Sequence, residues 1–304
     1  METIGPTASA PVSAGPAFMH ADAHFRMGSA HKADGSPCQD YALAERDAAL
    51  PFAVLSDGCS LSGRTDVGAR VIALTARRLL LESAADCLPH PGDAGTFAAR
   101  LIASATEASL ALDLGSGDLD ATLCFVRATA DGGVDAWLFG DGLAAARTPC
   151  GTEVAIVDWA GNLPGYPAYL ADPERLALFL SESEAAARLG GRMACEVRRY
   201  LIAHDGTAAL TGSEGHHAAA ALNGIGFSWP PGAADVAAVM SDGAMQVSGA
   251  AWPEVVAALM AFGSARTGAF VTRRMNRALA SLSKSGRRPA DDISVAAIAA
   301  AVQD

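Results

Sequence analysis

Nowhere does the sequence approach about 18 consecutive apolar residues; its longest apolar runs are Ala-rich and broken by Asp, Arg or Gly, which excludes a membrane-spanning helix. It has no CxxC pair. The six cysteines, Cys38, Cys59, Cys87, Cys124, Cys150 and Cys195, are scattered, so neither a zinc knuckle nor a disulfide framework is indicated and they read as reduced, mostly buried thiols. Basic residues are outnumbered, 22 Lys+Arg against 33 Asp+Glu, and the resulting charge of -11 disfavours phosphate backbones and anionic lipid. Neither nucleic acid nor membrane is therefore expected as a partner. There is no GxSxG elbow and no GxxxxGK[ST] loop, so the sequence carries no sign of an α/β-hydrolase-type serine nucleophile or of a P-loop.

What is present is a chain of 304 residues, 51% hydrophobic and only 18% charged, enough to bury a large core. The first sixteen residues carry Glu2 and are interrupted by Pro6, Pro11 and Pro16, a pattern no secretory h-region tolerates. A flexible Ala/Pro-rich tail over 1–16 and a cytoplasmic location are expected. From 17 on, β-like runs (AFMHADAHFRMG, YALAE, PFAVLS) precede two helical patterns, one starting near Thr65 or Asp66 and one from about Phe97 to Leu112. Strand-like segments return from Asp120 to Trp159, separated by turn residues. The stretch 159–183, with Pro164, Pro167 and Pro173, reads as a surface excursion that would serve as a flap. The segment 204–234 reads as loop-rich. A strand DVAAVM, two helices near 252–262 and 266–282, and a final strand ISVAAIAAAV complete the order. Strands joined by hairpins and interleaved with helices predict antiparallel sheets packed with helices.

Three apolar runs end alike: FAVLSDG at 52–58, AWLFGDG at 136–142 and VAAVMSDG at 236–243. Each leaves a carboxylate at a strand end. Asp291 and Asp292 precede the last strand, and Asp40 precedes YALAE. Carboxylates gathered about 4 Å apart would repel by roughly 4 kcal/mol per pair at an effective dielectric near 20, a penalty that a bound cation removes. Oxygen-only ligation suits magnesium or manganese rather than zinc. A glycine after Asp57 and Asp242 would let a backbone carbonyl approach an ion. For Asp141, within GDG, an ordinary hairpin turn is an equally good reading.

The succession GSAH…CQDYA, VLSDGCS, DATLCFV, LFGDGLA, VMSDG and DDISVAAI, running from about residue 20 to 302, resembles the type 2C (PPM) metal-dependent protein serine/threonine phosphatases. The resemblance implies a single domain over 17–304, an α+β four-layer α/β/β/α sandwich with two antiparallel sheets flanked by helices. It also implies a phosphorylated protein as substrate and two Mg2+ or Mn2+ ions, with a third weak site. Asp57 would bridge the two ions and Gly58 would offer its carbonyl; Asp242 and Asp291 would complete the first site. Asp40 would act through a coordinated water, and Asp141 would lie near the third position. Catalysis would rest on Asp40, Asp57 and Asp242.

The departures are specific. Asp292 stands where the family usually has Asn, and Gln246 where a third-site Asp often stands. The Arg that usually holds the substrate phosphate is absent, leaving His31 or Lys32 as stand-ins. A catalytically inactive, partner-binding relative is the alternative these departures favour. The retained Asp57, Asp242 and Asp291 oppose it. Cys59 beside the proposed site, the His216–His217 pair, and the Lys284, Arg287, Arg288 cluster read more simply as an inert thiol, a solvated pair and a solvated helix end.

Overall fold

The computed structural model describes residues 18–82 and 94–301; the tail expected over 1–16 and Cys87 lie outside the described residues. The chain enters as β1 (Phe18–Arg26), a short helix α1 (Ser29–Asp34), then β2 (Asp40–Glu45) and β3 (Phe52–Asp57). Helices α2 (Thr65–Glu82) and α3 (Ala94–Ala111) follow, then strands β4 (Leu123–Ala128), β5 (Val134–Phe139), β6 (Gly142–Thr148) and β7 (Gly151–Trp159). After α4 (Pro173–Gly190) come β8 (Cys195–Ile202), β9 (Ala208–His216), the short α5 (Ala218–Ala221), β10 (Ile225–Trp229) and β11 (Val236–Met240). Helices α6 (Trp252–Met260) and α7 (Phe270–Lys284) lead to β12 (Ile293–Ala300).

Two antiparallel sheets result, one ordered β1-β12-β11-β6-β7-β8-β9 and the other β10-β5-β4-β3-β2. Three apolar layers bind them. Between the sheets lie mostly small side chains, Ala53, Ala136, Ala144, Ala146, Ala237 and Ala296 among them, with Leu55, Val126 and Ile298. The outer face of the five-stranded sheet packs Phe52, Phe125 and Phe139 against Ile72, Leu101 and other residues of α2 and α3. The outer face of the seven-stranded sheet packs Leu143, Met240 and Val295 against Val255, Met275 and Leu279 of α6 and α7. The order helix, sheet, sheet, helix is the expected sandwich. It also explains why β12 reads as an unbroken apolar run: Val295, Ala297 and Ala299 face the helices while Ala296 and Ile298 face the other sheet, so both faces are buried.

Three readings of the sequence are corrected. The segment 159–183 is no simple excursion, because Asp172 caps the helix α4, accepting from the backbone N–H groups of Glu174 and Arg175 with Pro173 at the first helical position. The segment 204–234 contributes β9, α5 and β10 rather than loop alone. The GDG step at 140–142 is not a hairpin: β5 belongs to one sheet and β6 to the other, so Asp141 lies where the chain crosses between sheets.

Candidate functional site

Strand register brings the acids together. In the five-stranded sheet Asp40, the first residue of β2, is paired directly opposite Asp57, the last of β3. In the seven-stranded sheet Met240 is paired with both Leu143 and Val295, so Ser241-Asp242 leaves β11 where Asp141-Gly142 enters β6 and where Asp291-Asp292 enters β12. Five carboxylates from four strand ends and one inter-sheet crossing thus converge at one end of the sandwich.

Backbone closeness there depends on glycine. A Cβ on Gly28 would lie 2.2 Å from the carbonyl carbon of Asp291, one on Gly58 would lie 2.7 Å from the Thr65 oxygen, and one on Gly243 would lie 1.8 Å from the Asp292 oxygen. The glycines after Asp57 and Asp242 are therefore required by the neighbouring chain that packs on them, a reason additional to the one the sequence suggested.

Serines and threonine fix the acids in place. The Ser241 hydroxyl donates to Asp40 Oδ2 at 2.9 Å and accepts the Ser294 N–H at 2.9 Å, tying the two sheets together. Thr122 holds Asp57 from both sides, its hydroxyl accepting the Asp57 N–H at 3.0 Å and its own N–H donating to the Asp57 carbonyl at 2.8 Å. Gln246 Nε2 donates to Asp242 Oδ2 at 2.8 Å. The residue that replaces the expected third-site acid thus steadies a member of the cluster.

What the cluster lacks is counter-charge. Among the described residues no Lys or Arg forms an ion pair with Asp40, Asp57, Asp141, Asp242 or Asp291. Asp40 is fully buried, and its Oδ1 has no hydrogen-bond partner. The Asp57 carboxyl lies within hydrogen-bonding reach of both Asp40 and Asp242. Burial, and after it the charges of Asp40, Asp242, Asp141 and Asp291, hold Asp57 well above the ordinary carboxylate range. Burial pushes Asp40 up to about 7, against the stabilising hydrogen bond from Ser241. Burial and Asp242 push Asp141 up to about 8, and burial and Asp291 raise Asp242. Carboxylates so placed share protons or a cation, and as hard oxygen donors they fit a divalent ion of the magnesium type.

Among the described residues, the group of three whose potential ligand atoms all lie within 4.8 Å of one another is His31, Asp291 and Asp292. Asp292 is already occupied: Oδ1 accepts the Gly28 N–H at 2.7 Å, Oδ2 accepts the Gln39 N–H at 2.6 Å, and His31 Nδ1 lies 2.9 Å from Oδ2. It staples the loop that precedes β2 to the start of β12, leaving Asp291 as the acid free to face the cluster. The two stand-ins for a phosphate-binding Arg are separated by the structure. His31 is buried against Asp292, whereas Lys32 is exposed and lines an outer cleft with Arg26, Arg287 and Arg288.

The segment after β7 supplies a wall that the sequence did not reveal. The buried Tyr166 places its hydroxyl beside Cys59 and within the field of Asp141 and Asp57, and burial raises its pKa. Tyr166, Tyr169, Phe179 and Trp159 form a continuous aromatic ladder with centroid spacings of 5.7, 4.5 and 5.7 Å. Arg175 of α4 grips the buried Asp120 through both carboxylate oxygens at 2.7 and 2.8 Å and lies over the Tyr169 ring. Burial raises the Cys38 and Cys124 thiols as well, which keeps these two protonated and argues against either as a nucleophile. Of the pair expected to be solvated only His217 is, contacting Glu184 at the surface; His216 is largely buried, its Nε2 3.6 Å from Glu214.

Residues 27–163 match the family model of protein phosphatase 2C. That span contains Asp40, Asp57 and Asp141 but not Asp242 or Asp291, which the fold alone brings to them. The structure is similar over nearly its whole length to solved bacterial proteins. PppA, described as a key regulatory component of T6SS in Pseudomonas aeruginosa, is 14% identical with a TM-score of 0.54, over 94% of this chain and 99% of that one. The S. agalactiae serine/threonine phosphatase is 14% identical with a TM-score of 0.53, over 93% and 100%. The serine/threonine phosphatase Stp1 from Staphylococcus aureus is 12% identical with a TM-score of 0.51, over 97% and 100%. No curated protein matches the chain. The fold is that of the type 2C phosphatases, and residues 27–163, somewhat under half of the chain, match that family's model. No helix among the described residues is long and apolar enough to cross a membrane.

Proposed function

We propose that the chain is a metal-dependent phosphomonoester hydrolase acting on phosphoserine or phosphothreonine in proteins. The observation that carries this reading is the convergence of five uncompensated carboxylates, with Asp40 Oδ1 buried and unpartnered and Asp57 within reach of two neighbours. Asp40, Asp57, the Gly58 carbonyl, Asp242 and Asp291 would hold two magnesium or manganese ions, Asp141 a third, weaker one, and such ions when bound supply Lewis acidity and an activated water for attack on phosphorus.

The chain's own residues supply order around that centre. Ser241 fixes which Asp40 oxygen faces the cluster, Gln246 does the same for Asp242, and Thr122 holds the Asp57 backbone. Asp292 keeps the loop bearing His31 closed over the start of β12. Tyr166 and the aromatic ladder behind it form an apolar wall that limits water beside Asp57 and Asp141, and the Arg175–Asp120 pair anchors that wall. Among the described residues no Lys or Arg is ion-paired with these acids, and of the two stand-ins for a phosphate-binding Arg, His31 is engaged by Asp292 and Lys32 faces the outer cleft, so on this reading the substrate phosphate would be held at the metal-binding acids themselves.

The test is phosphate release from phosphoserine and phosphothreonine peptides, alongside a nucleotide and a sugar phosphate, in manganese and in EDTA. Manganese-dependent release favouring the peptides supports the reading. Preference for the small molecules replaces the substrate class. Manganese binding without turnover of anything leaves the partner-binding module.

A further inference from the structure

The chain is acidic overall, yet from residue 255 to residue 290 it holds no Asp or Glu and seven cations, Arg266, Arg273, Arg274, Arg277, Lys284, Arg287 and Arg288. Where the end of this stretch meets β1 and α1, a cleft of about 310 Å³ opens between Arg26, Ser29, Lys32, Arg287, Arg288 and Pro289. Four cations face it, and no carboxylate lines it. Arg287 is ion-paired with Glu254 outside the cleft wall, and Arg26 donates to the neutral Asn276 at 3.0 Å; neither Lys32 nor Arg288 has an ion-pair partner among the described residues. The cleft adjoins the acid cluster: the Ser29 N–H donates to the Pro289 carbonyl at 3.0 Å and the Ala30 N–H to the Ala290 carbonyl at 2.9 Å, immediately before Asp291. Arg26 is paired in register with Ile293, two residues beyond Asp291.

We propose that this cleft receives an acidic segment of the protein substrate, a carboxylate or second phosphate flanking the phosphoresidue, so that the chain selects phosphosites in acidic sequence. The proposal rests on the phosphatase reading for the identity of its occupant. Four cations around a cleft with no carboxylate of its own are complementary to an anionic group, and the cleft is sized for a side-chain group rather than a duplex. The acidic remainder of the surface repels an extended polyanion, which sets a peptide above a nucleic acid.

The test uses the full manganese-loaded chain and two phosphothreonine peptides of equal length, one with Glu and one with Gln at the flanking positions. At low salt kcat/KM is expected to favour the acidic peptide by about tenfold, with roughly threefold lost for each of Arg26→Gln and Arg288→Gln and the preference screened by added salt. Turnover of an aryl phosphate, which does not reach the cleft, is expected to be unchanged in both variants. Equal kcat/KM for the two peptides in the wild type, or a preference that survives the double variant, overturns the proposal. Anisotropy with the corresponding phosphonate peptides reads the cleft without turnover. A chain that hydrolyses nothing but binds the acidic phosphonate more tightly through Arg26 and Arg288 would overturn the phosphatase and keep the cleft, whereas an active enzyme blind to the flanks would do the reverse. Displacement of the acidic peptide by DNA at equal charge concentration also overturns the proposal.

Discussion

In the absence of divalent cations, the folded chain should lose stability as pH rises through neutrality. Asp40 is fully buried, and its pKa stands at about 7 rather than the ordinary 3.8, because burial disfavours its charged form. The folded state therefore holds a proton that the unfolded chain releases. Its contribution is fully present below the unfolded value and is lost as pH climbs from about 4 through about 7. Asp40 alone makes a difference of about 4 kcal/mol across that window, a large part of the 5 to 15 kcal/mol typical of a folded domain. Asp57, Asp141 and Asp242 act in the same direction. The depressed carboxylates Asp118 and Asp235 act with the opposite sign, but below the window. A cation that satisfies the cluster reverses the loss, by about 3 kcal/mol at a hundredfold excess over its dissociation constant. The assay is urea unfolding followed by tryptophan fluorescence, in EDTA and in manganese, at a series of pH values from about 5 to 8. Asp57→Asn, which removes the carboxylate shared by Asp40 and Asp242, should flatten the pH dependence in EDTA and remove the manganese gain. A midpoint in EDTA that is constant or rises with pH, or a manganese gain that survives Asp57→Asn, would refute the reasoning.

Arg175→Ala should lower stability by about 2 kcal/mol or more, because it strands the buried Asp120 carboxylate, and the corresponding fall in thermal midpoint is a few degrees for a chain of this size; a midpoint within a degree of wild type would count against the clamp. Asp292→Asn should destabilise by about 1 to 3 kcal/mol in urea, since its amide nitrogen must face a backbone N–H at Gly28 or Gln39 where the carboxylate accepted both. Gly243→Ala should cost more than about 3 kcal/mol or abolish folding, whereas Gly263→Ala, with open space around it, should shift stability by less than about 0.5 kcal/mol; equal effects would show that the close approach of Gly243 to Asp292 is not rigid.

The acids were legible because each terminates an apolar run long enough to be a buried strand, and a buried strand must stop where its backbone meets polar surroundings. Their convergence was not, since it depends on which sheet each strand joins. Asp141 looked like a turn because nothing local says that β5 and β6 part company. Helix α4 had a readable start in Asp172-Pro173, but the prolines and glycines just before it hid the cap. Strand β9 escaped because it is an exposed edge, AALTGSEGH, with no apolar alternation for packing to impose. Long-range caps leave no local trace either: Asp22 in β1 accepts the N–H groups of Val271 and Thr272 at the start of α7, at 2.7 and 3.1 Å, and only the sandwich brings them together. Tyr166 belongs to the same group, since a tyrosine in a Pro-rich segment carries no sign of the site it will line. The role of Asp292 follows from two backbone donors on a distant loop, so its departure from Asn could be seen in sequence but not explained.

The most direct test of the central claim is hydrolysis of a generic aryl phosphate by the wild-type chain, Asp57→Asn and Asp242→Asn, each with manganese and with EDTA, together with calorimetric titration of manganese into the metal-free proteins. The account predicts manganese-dependent turnover by the wild type alone and weakened manganese binding in both variants. Turnover that persists in EDTA or in either variant, or a wild type that neither binds manganese nor releases phosphate, would contradict it.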